Sequence, residues 1–293
     1  MPPYKLGLAQ INTQLGGLRH NLAKHLDLID AARKEAVDVL AFPELSLTGY
    51  MLQDEAPTVA CSPTPGDETF GPLLKASRDL DLLVGFVDVD ERYRYYIAAA
   101  YLSAGKVIHI HRKVYLPTYG LFDEGRFFSP GETMRAFDTR FGRIGVLICE
   151  EFWHASSPYL LWLDGADMML FMSASPVRGL TDSDQLQSVA WVERVNQAYA
   201  SLFTVHIGHS VRVGFEDGMI FGGRATAFGP AGDMLAAGPD FQEGLTLAEI
   251  NPDTVRQTRV RLPLLRDERP DWVARQLARI QQPPARGLTE KTK

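Results

Sequence analysis

An α/β protein is the prediction from this sequence, and three observations carry it. Short apolar runs alternate with longer helix-like stretches through most of the chain, the pattern of strands covered by helices. No unit repeats at a fixed period, so an array of small modules is not expected. The 293 residues are 45% hydrophobic and 23% charged, enough apolar material for one large core. That material thins after about residue 250, which divides the chain into a domain over 1–250 and an extension over 251–293.

The elements follow in order. Leu6–Ile11 reads as a strand and residues 18–36 as an amphipathic helix. Val39–Phe42 is a short buried strand that Pro43 stops, since proline brings no N–H to a ladder. Pro65–Gly66–Asp67 opens a helix over about 68–80, with Asp67 as its capping acid. Leu82–Val87 is a strand, and Tyr95–Leu102 and Lys106–His111 form a hairpin around Ser103–Ala104–Gly105. Arg143–Ile148 is a strongly apolar strand, followed by a helix over about 153–164 and a strand over Met168–Met172. A helix over about 184–200 leads to a strand at Leu202–Ile207. Two or three further strands fall between Gly223 and Ile250, with turn residues at Gly229–Asp233. The Arg- and Pro-rich extension carries one short helical piece near Asp271–Ile280 and is expected to lie across the domain or a second subunit.

Composition removes several function classes. Net charge is −6 and the Lys and Arg residues are scattered, so no basic surface for a nucleic acid is expected. Met1–Gln10 lacks the basic and apolar regions of a signal peptide. No apolar run approaches the roughly 20 residues that span a bilayer. A cytoplasmic protein with no membrane partner is expected. The two cysteines sit apart, Cys61 in a polar Pro-rich stretch and Cys149 at the end of an apolar strand, which argues against a disulfide framework.

Four side chains could carry chemistry. Cys149 follows Gly145–Ile148 and precedes Glu150–Trp153, so it sits where a buried strand turns into a helix. That is the edge at which α/β folds collect their sites, and a cation or helix N-terminus there favours the thiolate. Lys113 ends the second hairpin strand, Glu44 directly follows Pro43, and Glu124 is flanked by aromatic residues. Taken singly, each has a plain structural reading: a core thiol, a solvated strand end, a turn acid and a loop partner for Arg126. His109–x–His111 and His206–x–x–His209 lack a nearby acid at a zinc spacing, so no metal is expected. Neither a Gly–x–Ser–x–Gly elbow nor a Gly–x–Gly–x–x–Gly turn is present.

Read together, these blocks resemble the nitrilase superfamily of carbon–nitrogen hydrolases over about residues 4–250. The matching blocks are Phe42–Leu45 with Gly49–Tyr50, His111–Lys113 with Leu116–Pro117, Glu124–Gly131, and Gly142–Glu150, in family order. The resemblance implies a four-layer αββα sandwich, association into a dimer or higher homo-oligomer, and no cofactor or metal. It implies that Cys149 attacks an amide carbonyl to give a thioester, with Glu44 as general base and Lys113 holding the oxyanion. Glu124 would orient Lys113, and the Glu150 backbone N–H would be a second oxyanion donor.

Within the superfamily, Cys149–Glu150–Glu151–Phe152–Trp153, Leu116–Glu124 and Ser173–Pro176 are similar to the glutamine-amidase domain of glutamine-dependent NAD synthetases. Glu151 stands where that block usually has aspartate. The analogy implies a pocket lined by Tyr50, Tyr119, Glu150, Trp153 and Ser175, with Arg178 meeting a substrate carboxylate. The synthetase phosphate loop Ser–Gly–Gly–x–x–Ser is not found, so the expectation is a free-standing amidase or a supplier of ammonia to a partner enzyme. A glutamine-like small amide is the favoured substrate. Another amidase or N-carbamoyl hydrolase, acyl transfer to an amine, and a catalytically silent binding module are the alternatives.

Overall fold

The computed structural model describes residues 1–177 and 187–281. The first half contains β1 (Tyr4–Gln10), α1 (Leu18–Lys34), β2 (Val39–Ala41), α2 (Phe70–Ala76), β3 (Asp81–Val89), β4 (Tyr95–Ser103), β5 (Lys106–Arg112) and α3 (Glu124–Phe127). Then come β6 (Phe137–Thr139), β7 (Gly142–Ile148), α4 (Ser156–Leu163), β8 (Met168–Ser173), α5 (Gln187–Phe203) and β9 (His206–Val211). The remainder is β10 (Val213–Glu216), β11 (Met219–Gly222), β12 (Thr226–Phe228), β13 (Met234–Ala237), β14 (Gly244–Ile250), α6 (Pro252–Arg261), α7 (Leu264–Asp267) and α8 (Pro270–Gln281).

Two six-stranded sheets face each other, in the orders β14-β1-β2-β3-β4-β5 and β13-β12-β9-β8-β7-β6. The strand period of two sorts their side chains between two sides. From β3, Leu83 and Val87 enter the core between the sheets, while Leu82, Val84 and Phe86 pack outward with Ile29 of α1 and Leu73 of α2. From β8, Met168, Leu170 and Met172 enter the same central core, and Met169 and Phe171 pack outward with Leu161 of α4 and Ala200 of α5. Helices, sheet, sheet and helices therefore stack as four layers, the αββα sandwich. No helix among the described residues is long and apolar enough to cross a membrane.

Several expectations need correction. No strand spans Leu202–Ile207, because α5 runs through Phe203 and β9 starts only at His206. Ala200 is buried in the outer core, and Thr204 at φ 51 with Val205 N–H on the Ala200 carbonyl closes the helix. Packing of the helix overrides the β-favouring composition there. The sequence reading also passed over β6 and the β10–β11 hairpin. Asp217 at φ 48 and Gly218 at φ 79 form the hairpin turn, a dipeptide suited to a primed turn. Among its described residues the extension holds three helices and not one. Asn251, whose side chain accepts from Asp253 N–H, and Pro252 start α6. Val255 is buried, Arg259 pairs with Asp167 at 2.7 Å, and Leu264 and Leu265 lie on the α5 side. The helix expected over 68–80 is shorter, with Asp67 Oδ1 accepting from Thr69 and Phe70 N–H.

Strands β1, β2 and β3 run parallel, as do β7, β8 and β9. Their C-terminal ends deliver Glu44, Cys149 and Ala174–Ser175 to the seam between the sheets. Gly85 in β3 makes room for this. A Cβ on it would lie 2.5 Å from the Pro43 carbonyl oxygen and 2.6 Å from Leu45 N, both backbone atoms that cannot swing aside. Gly85→Ala is expected to cost about 3 kcal/mol, the upper range for overpacking, and to reduce activity by displacing Glu44. Urea unfolding together with an activity assay checks this, and a variant of parental stability would refute it.

Candidate active site

Glu44 is placed by backbone constraint. Phe42 N–H still bonds to the Leu83 carbonyl, Pro43 ends the pairing, and Leu45 takes φ 48 so that the chain doubles back. Leu47 N–H returns to the Gly85 carbonyl, and Ser46 Oγ accepts from Gly85 N–H while lying 2.9 Å from His25 Nε2. The carboxylate is thereby held in the seam at 1% exposure. Its Oε2 accepts from Ala174 N–H at 2.9 Å, on the opposite sheet, and its Oε1 from Lys113 Nζ at 2.7 Å.

Lys113, with no exposure, follows β5 and is tied by its N–H to the Ile97 carbonyl and by its carbonyl to Gly131 N–H. Its ammonium also donates to Glu124 at 2.8 Å. Glu124 opens α3 and accepts a second bond, 2.6 Å, from the Tyr50 hydroxyl. The loop pairing of Glu124 with Arg126 is not formed; Arg126 faces Asp123 at 3.9 Å. Burial works against the charge on Lys113, but the two carboxylates more than offset it and hold its pKa above the usual lysine value. Glu124 is pushed up to about 7 by burial, with Lys113 opposing and Glu44 reinforcing.

Cys149 leaves β7 at φ 47, a left-handed backbone for a residue with a side chain, which costs about 1–3 kcal/mol. The turn that follows, Cys149–Trp153, lifts the thiol out of the strand. Sγ lies 3.5 Å from Ser175 Oγ. Burial raises the thiol pKa, the charge of Glu44 raises it further, and Lys113 opposes both. The Lys113 ammonium is already paired with Glu44 and Glu124, so a free thiolate would add a negative charge that no further cation beside it offsets. Moving the thiol proton onto Glu44 keeps the total unchanged. The geometry thus favours a neutral thiol with a base beside it.

The expected pocket residues divide. Tyr50 and Ser175 touch the cluster as described, and Tyr50 stands edge-on to Phe122 and Phe221. Tyr119 lies at the rim, about half exposed, its hydroxyl donating to Glu150 Oε2 at 2.7 Å. Trp153 packs against Phe152 and Trp191. Arg178 lies outside the described residues. A cavity of about 200 Å³ beside Tyr50 and Glu124 is lined by Met51, Phe122, Phe127 and Phe128.

Glu151, fully buried, has a role that its place in the family block does not announce. Its Oε1 accepts from Val114 N–H and its Oε2 from Ile148 N–H, each at 2.7 Å, with His111 Nε2 also 2.7 Å away. It ties the residue before Cys149 to the residue after Lys113. The other histidines are engaged elsewhere: His109 stacks on Phe137, His206 lies 3.0 Å from Thr254 Oγ1, and His209 lies between Ser173 and Asn196. No group of three metal-ligating side chains occurs among the described residues.

Lys113→Met would leave Glu44 and Glu124 buried without a counter-ion, an expected loss of about 3–5 kcal/mol. Glu124, already pushed up to about 7, would lose the cation that opposes the shift and would hold its proton in the folded state at pH values where the unfolded chain has released it. A raised folded pKa makes stability fall as pH rises. The deficit in urea unfolding should therefore be larger at about pH 8 than at about pH 5, and an equal deficit at both would sink this account.

The model of the family described as carbon-nitrogen hydrolase matches residues 5–260. The glutamine-dependent NAD(+) synthetase of Acinetobacter baylyi is 28% identical over 262 residues, 89% of this chain and 46% of that protein. The chain thus spans about half the length of that relative. The N-carbamoylputrescine amidase of Solanum lycopersicum is 26% identical, covering 86% of this chain and 87% of the relative. Among solved structures, the glutamine-dependent NAD+ synthetase from Acinetobacter baumannii superposes with a TM-score of 0.75 at 27% identity, over 86% of this chain and 46% of that one.

Proposed function

Because the chain belongs to the carbon–nitrogen hydrolase family, we propose that it hydrolyses a small linear amide of glutamine type through a thioester on Cys149. The observation that carries the reading is the Lys113 ammonium, fully buried and bonded to both Glu44 and Glu124 beside the Cys149 thiol. As Sγ attacks the carbonyl carbon, Glu44 takes the thiol proton. Lys113 donates two of its three N–H groups to the carboxylates and has the third for the oxyanion, with Glu150 N–H as the second donor. The C–N bond breaks as Glu44 passes its proton to the nitrogen, which leaves as ammonia. Water then attacks the thioester with Glu44 again as base, the C–S bond breaks, and the proton returns to sulfur.

The glutamine preference is supported by the synthetase relatives and by the Tyr119–Glu150 pair at the rim. An N-carbamoyl amine is the second reading, favoured by the amidase match over most of that relative's length. The reading includes a homo-oligomer, for which the exposed Trp272, Leu277 and Ile280 on α8 offer an apolar face. Ammonia is the product that an accepting partner enzyme would take up in this reading.

Ammonia release from L-glutamine, L-asparagine, ω-amides of keto acids, short aliphatic amides and N-carbamoyl compounds tests the proposal. Release from one class is expected, with loss of at least about a thousandfold in Cys149→Ala. Undiminished release in that variant, or none from any amide with an unreactive Cys149, would overturn it and favour a binding module.

A further inference from the structure

We propose that Arg212 and Glu216 form a clamp that positions Tyr50, and through it Glu124, for the reaction at Cys149. The proposal rests on the reading of the cluster as catalytic. Glu216 ends β10, on the small hairpin outside both large sheets, and its side chain turns inward to 6% exposure. Its Oε1 accepts from the N–H groups of both Tyr50 and Met51, at 2.9 and 2.8 Å. Its Oε2 pairs with Arg212 Nη2 at 2.8 Å, which also donates to the Thr13 carbonyl at 3.0 Å. Arg212, 1% exposed, lies over the Phe221 ring at 4.4 Å, and Phe221 stands edge-on to Tyr50. The pair therefore reaches Tyr50 twice, through its backbone and through the face of its ring neighbour.

The loop is shaped to receive this carboxylate. Gly49 has φ 81, and a Cβ there would lie 2.7 Å from Glu216 Oε2 and 2.8 Å from the Leu15 backbone. A buried ion pair adds little net stability over apolar residues of the same volume. Apolar residues could not, however, satisfy two converging backbone N–H groups. Those two bonds set where the Tyr50 ring leaves the chain. At the far end of that ring the hydroxyl meets Glu124 at 2.6 Å, and Glu124 meets Lys113. Arg212 and Glu216 are positioning residues in this scheme, since neither touches Cys149, Glu44 or Lys113.

The test is a double-variant cycle in the full chain, with Tyr50→Phe, Glu216→Ala and their combination. Three quantities are read: kcat and KM on the amide that the panel identifies, the alkylation rate of Cys149 by iodoacetamide against a Cys149→Ala blank, and the melting temperature. Each single change is expected to lower kcat by about tenfold, and the combination by no more than the worse single change, because both break one chain of contacts. Glu216→Gln, whose amide oxygen still accepts both N–H groups, should recover most of the loss. If Glu216→Ala does not fold, the paired change Arg212→Met with Glu216→Gln replaces it: a lowered kcat that Tyr50→Phe does not deepen supports the proposal, and a parental kcat overturns it. Effects that multiply, or a Glu216→Ala enzyme with parental kcat, also overturn it while leaving the thioester reading intact. A wild type that releases ammonia from no amide and whose Cys149 is also inert to iodoacetamide overturns both.

Discussion

The Lys113 ammonium sits where water does not reach, and everything around it follows from that. A buried cation survives only if paired, and one carboxylate on each side pairs it. Glu44 arrives from one strand end and Glu124 from the loop after β5, so two remote stretches of chain are committed to a single nitrogen. Burial, reinforced by the charge of Glu44, then keeps the neighbouring thiol protonated, which makes the base part of the same arrangement and not an addition to it. Ala174 N–H occupies the second oxygen of Glu44, and the Tyr50 hydroxyl shares Glu124 Oε1 with the ammonium, leaving little freedom to rearrange.

The layer structure was legible because strand alternation is a local signal: Leu82 to Val87 or Met168 to Met172 show their two faces directly. Cys149, Lys113 and Glu44 were legible for a different reason, each standing one or two residues beyond a readable strand. Glu151 and Glu216 have no such footing. Each accepts from two backbone N–H groups, and a backbone partner leaves no trace in residue identity. Glu216 could have been approached through Asp217–Gly218, whose turn chemistry announces the hairpin that carries it. The strand misplaced at Leu202–Ile207 and the helices missed after Asn251 show the opposite limit, where tertiary packing and one Asn–Pro cap outweigh composition.

Two unfavourable backbone angles lie where the chain turns abruptly beside the site. Leu45 and Cys149 both take positive φ, Cys149 directly after β7 and Leu45 in the turn beyond Pro43 that follows β2. The strain is offset by bonds that cross between elements, Leu47 to Gly85 on one side and Glu151 to Val114 on the other. A side chain that must point across the sheets, and not along them, requires such a turn.

The pairing of β14 with β1, residues 244–250 against residues 4–10, has a consequence for how the protein is made. On a ribosome β1 emerges with one edge bare, and its neighbour on that edge, β14, is made about 240 residues later. The sheet that carries Glu44 therefore waits until residue 250 has been added, and α/β pieces formed earlier remain open-edged until then. Catalytic competence becomes a late event in synthesis, reached when the two ends of the domain meet.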